Sequence, residues 1–170
     1  MTQEDYFSYF GLKPAFALDR DVLDAAWRQA AARVHPDRFA TAGPAEKRVA
    51  MQWASRINEA YRCLRSPLSR ARYLCEQAGV DLQVETNTAM RPAFLMQQME
   101  WREALDELRE QPSTEAAAVL RQTLAQAEAD IQSDVANLLD KQQDYETAAA
   151  RVREWMFLER MEQAMSDLEA

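Results

Sequence analysis

The chain of 170 residues contains one histidine, and that histidine opens the run His35-Pro36-Asp37. An imidazole beside a rigid proline and a carboxylate offers a proton donor, an acceptor and a negative charge within three residues. Given one His, two chosen residues following it at about 5% usage each is roughly a one-in-400 coincidence. The run also has a plain reading, because Pro ends a preceding helix by sterics and Asp favours caps and turns. Other reactive types are sparse. Two cysteines without a CxxC pair, plus one His, exclude a zinc finger or ribbon. That His cannot be assigned to a Cys–His or Ser–His pair. Cys63 and Cys75 lie among apolar neighbours on expected helices and read as small buried hydrophobes. The many carboxylates read as solvated helix surface, so no catalytic group, cofactor or metal is expected.

A second constellation lies in the segment 92–110, opened by Pro92 and broken by Pro112-Ser113. On a helical wheel advancing about 100° per residue from Trp101, Phe94, Leu105 and Leu108 cluster around Trp101 and define a core face. Leu95, Met96 and Met99 fall on the opposite half of the wheel. Glu100, Glu103 and Glu107 fall beside the methionines on that same half. Each helix of a three-helix bundle buries one face, so this second apolar strip is surplus to the bundle. It can bind a partner or pack against the N-terminal unit. Phe157, two residues and therefore about 200° from Trp155 on the last helix, repeats the anomaly.

The elements that position these residues follow from punctuation and period. Gly11 follows Asp5–Phe10 as a helix-ending residue, Gly43 precedes Pro44, and Gly79 closes a segment opened by Ser66-Pro67. Leu23, Trp27, Ala30 and Val34 form one helical stripe; Ala50, Trp53, Ala54, Ile57, Ala60, Tyr61 and Leu64 form a longer one. Residues 1–78 therefore read as a short helix, a long helix, a loop near 35–43, a second long helix and a short closing helix. Residues 79–91 read as a linker or packed loop. The segment 92–170 reads as a three-helix unit, its second helix marked by Leu120, Leu124, Ala127, Ile131, Val135 and Leu138. Its third begins near Asp144 and carries Val152, Trp155, Leu158 and Met165. No segment alternates with period two, so the fold class is all-α: a four-helix unit and a three-helix bundle.

Composition narrows the function. Only 3 Gly occur, where ordinary usage gives roughly 12, which argues against Gly-rich phosphate loops. No run of 18 uncharged apolar residues exists, so no membrane span is expected. Met1–Phe7 carries Glu4 and Asp5 where a secretion signal has a basic stretch. The thiols are then expected reduced and the protein cytoplasmic. Residues 1–78 carry 12 basic and 9 acidic side chains, a balance of +3; residues 79–170 carry 8 and 19, a balance of −11. Opposite signs suggest two surfaces with different partners. The net charge of −8 opposes nucleic-acid binding.

These residues resemble a known family. Val34-His35-Pro36-Asp37-Arg38-Phe39 stands between two expected antiparallel helices, preceded by Phe10-Gly11-Leu12. It is followed by Ile57-Asn58-Glu59-Ala60-Tyr61 and Leu64-Arg65-Ser66-Pro67. The set is similar to a J domain, which stimulates ATP hydrolysis by DnaK-type chaperones. Arg70-Ala71-Arg72-Tyr73-Leu74, Phe94-Leu95-Met96 and Arg153-Glu154-Trp155-Met156-Phe157-Leu158 resemble the HscB-type branch, the co-chaperones of iron–sulfur cluster assembly. The resemblance spans nearly the whole chain, without a Gly/Phe-rich linker or Cys-rich zinc repeats. It departs at Val34, where J domains commonly have Tyr, and at Gln29, where a second basic residue often stands. The resemblance implies that His35, Pro36 and Asp37 trigger a DnaK/HscA-type ATPase and that Arg28, Arg33 and Arg38 dock on its acidic surface. Arg28 and Arg33 lie about 140° apart on one helix, outside the Leu23–Trp27–Ala30 stripe. It further implies that Leu95, Met96, Met99, Glu100, Glu103, Glu107 and Phe157 bind the iron–sulfur scaffold IscU. A J protein with a different client, or a purely structural helical adaptor, are the competing readings.

Overall fold

The computed structural model describes residues 5–82 and 90–170. Most of the expected 79–91 linker, residues 83–89, lies outside them. The described residues form six α-helices and no strand: α1 Arg20–Arg33, α2 Pro44–Arg65, α3 Pro67–Gln77, α4 Pro92–Glu110, α5 Thr114–Ala136 and α6 Tyr145–Glu169. The all-helical fold class is thus as read from sequence, with one shortening. The first of the four N-terminal helices is a single 3-10 turn, Ser8–Phe10, closed by Gly11 at φ 64° donating to the Ser8 carbonyl. Aromatic side chains at Tyr6, Phe7, Tyr9 and Phe10 leave that segment little intrinsic helix preference, and packing fixes it instead. The chain divides into two compact units, Met1–Leu74 and Cys75–Ala170. That division falls inside α3, earlier than the boundary at residue 78 suggested by Gly79.

In the first unit Phe7, Phe10, Leu23, Ala30, Ile57, Ala60, Leu64 and Tyr73 form one buried cluster. The α1 and α2 stripes meet there. Their register is fixed by polar contacts on the flank of the core. Trp27 stacks on Tyr61 with centroids 4.6 Å apart. The Tyr61 hydroxyl donates to Asp24 at 2.6 Å, and the Trp27 indole N–H donates to Asn58 at 3.1 Å. Arg70, buried on α3, donates to the carbonyls of Phe16 and Leu64, each at 2.7 Å. The second of these is a last-turn carbonyl of α2, which the helix itself leaves unpaired. Tyr73 donates to Asp5 at 2.9 Å, accepts from the Tyr6 N–H at 2.8 Å and stacks on the Tyr6 ring. The N-terminal turn is thereby tied to α3.

The second unit packs α4, α5 and α6 around Phe94, Trp101, Leu105, Leu124, Ile131, Val135, Val152, Trp155 and Leu158. Helix α5 starts where Ser113 accepts from the Ala116 N–H, and α6 where Asp144 accepts from the Thr147 N–H. Between them the chain widens into a π-helical segment, Asn137–Gln142, ended by Gln143 at φ 52°. The wider turn shifts the register, so Leu139 takes the core position and Leu138 is only half-buried. Cys75 is fully buried, and burial pushes its thiol up to about 11; Cys63 is half-buried, a correction to its reading as a core residue.

Candidate functional site

Two regions gather the residues singled out by sequence. In the first unit α1 ends at Arg33, and the chain turns at His35 into a 3-10 turn, Pro36–Phe39. Proline at the first position of that turn presets its backbone. His35 caps it, its Nδ1 accepting from the Asp37 N–H at 3.2 Å. With Nδ1 accepting, the neutral ring carries its proton on Nε2. The His35 carbonyl accepts from the Arg38 N–H at 3.0 Å. The His35 and Asp37 side chains are 59% and 93% exposed, and Pro36 and Arg38 are exposed as well. No core interaction spends these side chains. Arg28 and Arg33 are also exposed on α1, and no ion pair among the described residues neutralises either of them. The site is a solvent-facing corner with one ring N–H, one carboxylate and three cations.

The helix pair that carries this corner is joined by polar contacts. Asp24 bonds Tyr61 and Trp27 bonds Asn58, joining α1 to the C-terminal part of α2. Asp24 and Asn58 are polar partners chosen across more than 30 residues, with no local pattern to reveal them, whereas Tyr61 lies on the α2 stripe. The only available sign lay in the motif resemblance around Ile57–Tyr61.

In the second unit α4 buries Phe94, Gln98, Trp101, Leu105 and Leu108, the face expected from the helical wheel. On the other side Leu95, Met96 and Met99 are 43%, 64% and 62% exposed, so the apolar strip is unspent by folding. Glu100, Glu103 and Glu107 are exposed beside it, and no ion pair among the described residues engages them. Phe157 differs from the others. It is half-buried, its ring meets buried Phe94 edge-on at 6.1 Å, and the Arg102 guanidinium lies 5.3 Å over its centroid. It serves the bundle as well as the rim of the strip. Sequence reasoning also missed Glu154, 2% exposed on α6. Arg91 grips it with bonds of 2.7 and 3.0 Å, and Arg151 donates to it as well. Among the described residues no helix is long and apolar enough to cross a membrane.

Comparison with known proteins agrees with the fold. The profile of a family described as "HSCB C-terminal oligomerisation domain" matches residues 90–166. A curated relative from Bordetella pertussis (strain Tohama I), named co-chaperone protein HscB homolog, is 61% identical over 166 residues, covering 98% of this chain and 96% of the relative. One of the same name from Azoarcus sp. (strain BH72) is 48% identical over 165 residues, covering 97% and 93%. Among solved structures, chaperone HscB from Vibrio cholerae superposes with a TM-score of 0.83 at 31% identity, covering 98% of each chain. Human co-chaperone protein HscB superposes with a TM-score of 0.88 at 26% identity, covering 98% of this chain and 82% of its own. Identity sustained over nearly the full length of both chains shows that this chain belongs to the HscB co-chaperone family.

Proposed function

We propose that the protein stimulates the ATPase of a DnaK/HscA-type chaperone and delivers the iron–sulfur scaffold IscU to it during iron–sulfur cluster assembly, in the cytoplasm. His35, Pro36 and Asp37 form the activating contact, with Arg28, Arg33 and Arg38 docking on an acidic chaperone surface. Leu95, Met96 and Met99, flanked by Glu100, Glu103 and Glu107 and edged by Phe157, hold the scaffold. The protein has no catalytic groups of its own. It changes the partner's rate by binding, and client occupancy couples to the partner's nucleotide state as a linkage between sites.

The observation that carries this reading is the pairing of two unspent surfaces on one chain. The loop corner exposes every side chain of its tripeptide. The α4 strip exposes three large apolar residues that a bundle would ordinarily bury. The experiment is a single-turnover ATPase assay with HscA, with and without IscU. Stimulation by this protein alone, raised further by IscU, is the expected outcome. Stimulation indifferent to IscU assigns a different client, and no stimulation at all leaves a structural adaptor.

A further inference from the structure

Glu154 is buried on α6, at the edge of the face that buries Val152, Trp155 and Leu158. A carboxylate there costs more desolvation than an apolar residue of its size, and a buried ion pair contributes little net stability in return. What such a group supplies is register, because only one arrangement satisfies it. Here it is satisfied from both sides. Arg91 closes a two-bond fork on it, Nε to Oε1 at 2.7 Å and Nη2 to Oε2 at 3.0 Å. Arg151 donates to Oε2 from one turn earlier on α6. Arg151 in turn reaches Asp134 of α5, with Nη2 at 2.9 Å and Nε at 3.0 Å from Oδ2. One chain of charges thus links all three helices of the second unit.

Its position along α4 is the informative part. Arg91 is the N-cap of α4 and has no side-chain bond to the helix's own amides. Its carbonyl accepts from the N–H groups of both Phe94 and Leu95 at 3.0 Å. Fixing the Arg91 side chain on α6 therefore fixes the acceptor that sets the first turn of α4. Leu95, where the apolar strip starts, closes that turn, and Met96 follows it directly. Phe94 against Phe157 and Arg102 over Phe157 continue the same α4–α6 seam.

We infer that Arg91 and Glu154 are positioning residues: their ion pair, relayed through Arg151 to Asp134, locks the first turn of α4 so that Leu95, Met96 and Met99 are presented as a preorganised strip to the client. This rests on the reading of that strip as the client site. Preorganisation is affinity gained by ordering residues before binding rather than during it.

The test uses the full-length protein and the variants Arg91→Gln, Arg91→Lys and Met96→Ala with Met99→Ala. Arg91 is 59% exposed and leaves Glu154 paired with Arg151 when removed, so the bundle persists. In Arg91→Gln the amides of Phe94 and Leu95 exchange with solvent about tenfold faster, while amides of α5 and the middle of α6 keep their rates. Calorimetric affinity for IscU falls about fivefold, and Arg91→Lys recovers part of both effects. Unchanged exchange at Phe94 and Leu95, or faster exchange with undiminished IscU affinity, overturns the inference. If the methionine double variant binds IscU as the parent does, the client-site reading itself has failed. If that variant is weakened and Arg91→Gln is not, only the positioning role has failed.

Discussion

His35 spends its Nδ1 on the Asp37 N–H, which leaves the other ring nitrogen as a donor facing outward on a turn that proline has already shaped. A partner that accepts from this N–H meets a group whose ordering entropy has been met by the fold. His35→Gln keeps an acceptor and a donor on one amide, but on a longer, more flexible stem that does not hold them in the geometry of the ring. Stimulation of the chaperone ATPase should fall by roughly 30-fold, the equivalent of about 2 kcal/mol for a central contact. Circular dichroism should be unchanged, because none of the three side chains packs in the core. Wild-type stimulation by a folded variant would remove His35 from the site. This residue was legible in the sequence because it is the only histidine and stands in a loop between two patterned helices. Its supports were not. Asp24 and Tyr61 are 37 residues apart, and a hydrogen bond at that separation leaves no period for sequence to display.

Helices α4, α5 and α6 show the same contrast one level up. Their ends were readable at Pro92, Ser113 and Asp144, where proline or a side-chain cap meets unpaired amides. The π-helical segment at Asn137–Gln142 was not, because Val135 and Leu138 also fit an α-helical stripe. Nor was the burial of Glu154, whose partner Arg91 is 63 residues away. The α4 strip was readable because a full helical turn of apolar residues cannot lie on one face. Met96→Ala with Met99→Ala should weaken IscU binding by about 1–3 kcal/mol, roughly 5- to 150-fold, and barely move the melting temperature. Core methionines would instead lose about 2–5 kcal/mol of stability each, so calorimetry beside a melting curve separates the two. Across the α5–α6 seam, burial and a hydrogen bond with Glu128, with Glu159 also near, push the Glu162 carboxyl up to about 7. Nearby, Gln132 donates to Glu128 and Arg121 pairs with Glu169. The folded value lies above the unfolded value of 4.5, so the native state holds this proton more tightly. Stability therefore declines as pH rises from about 4.5 through about 7 and levels off above. With partial exposure screening the pair, the decline is about 1–2 kcal/mol. Glu162→Gln should melt with the parent near pH 5 and above it at pH 8; identical melting at both values would show that the seam is insensitive to this proton.

At the scale of the molecule, the two surfaces differ in the kind of force each can use. Residues 1–78 carry a balance of +3 and residues 79–170 one of −11. The tripeptide corner exposes three cations and none of the large apolar side chains that lead the α4 strip at Leu95, Met96 and Met99. Docking at the corner should therefore be steered by charge and be salt-sensitive, with exposed charges screened beyond about 8 Å at physiological ionic strength. Client binding at the strip should hold its affinity better as salt rises, since apolar burial is not screened. Arg28 and Arg33 lie on the exposed side of α1, so replacing both by Ala removes steering charge without touching the Leu23–Ala30 core stripe. The double variant should need a several-fold higher concentration for half-maximal ATPase stimulation and should show a flatter salt dependence than the parent. Its affinity for IscU should be unchanged, because neither arginine belongs to the second unit. Chaperone affinity measured across a tenfold range of salt decides the matter. A flat profile in the parent would mean that the corner binds through shape and the histidine alone, and that the positive balance of the first unit has no part in docking.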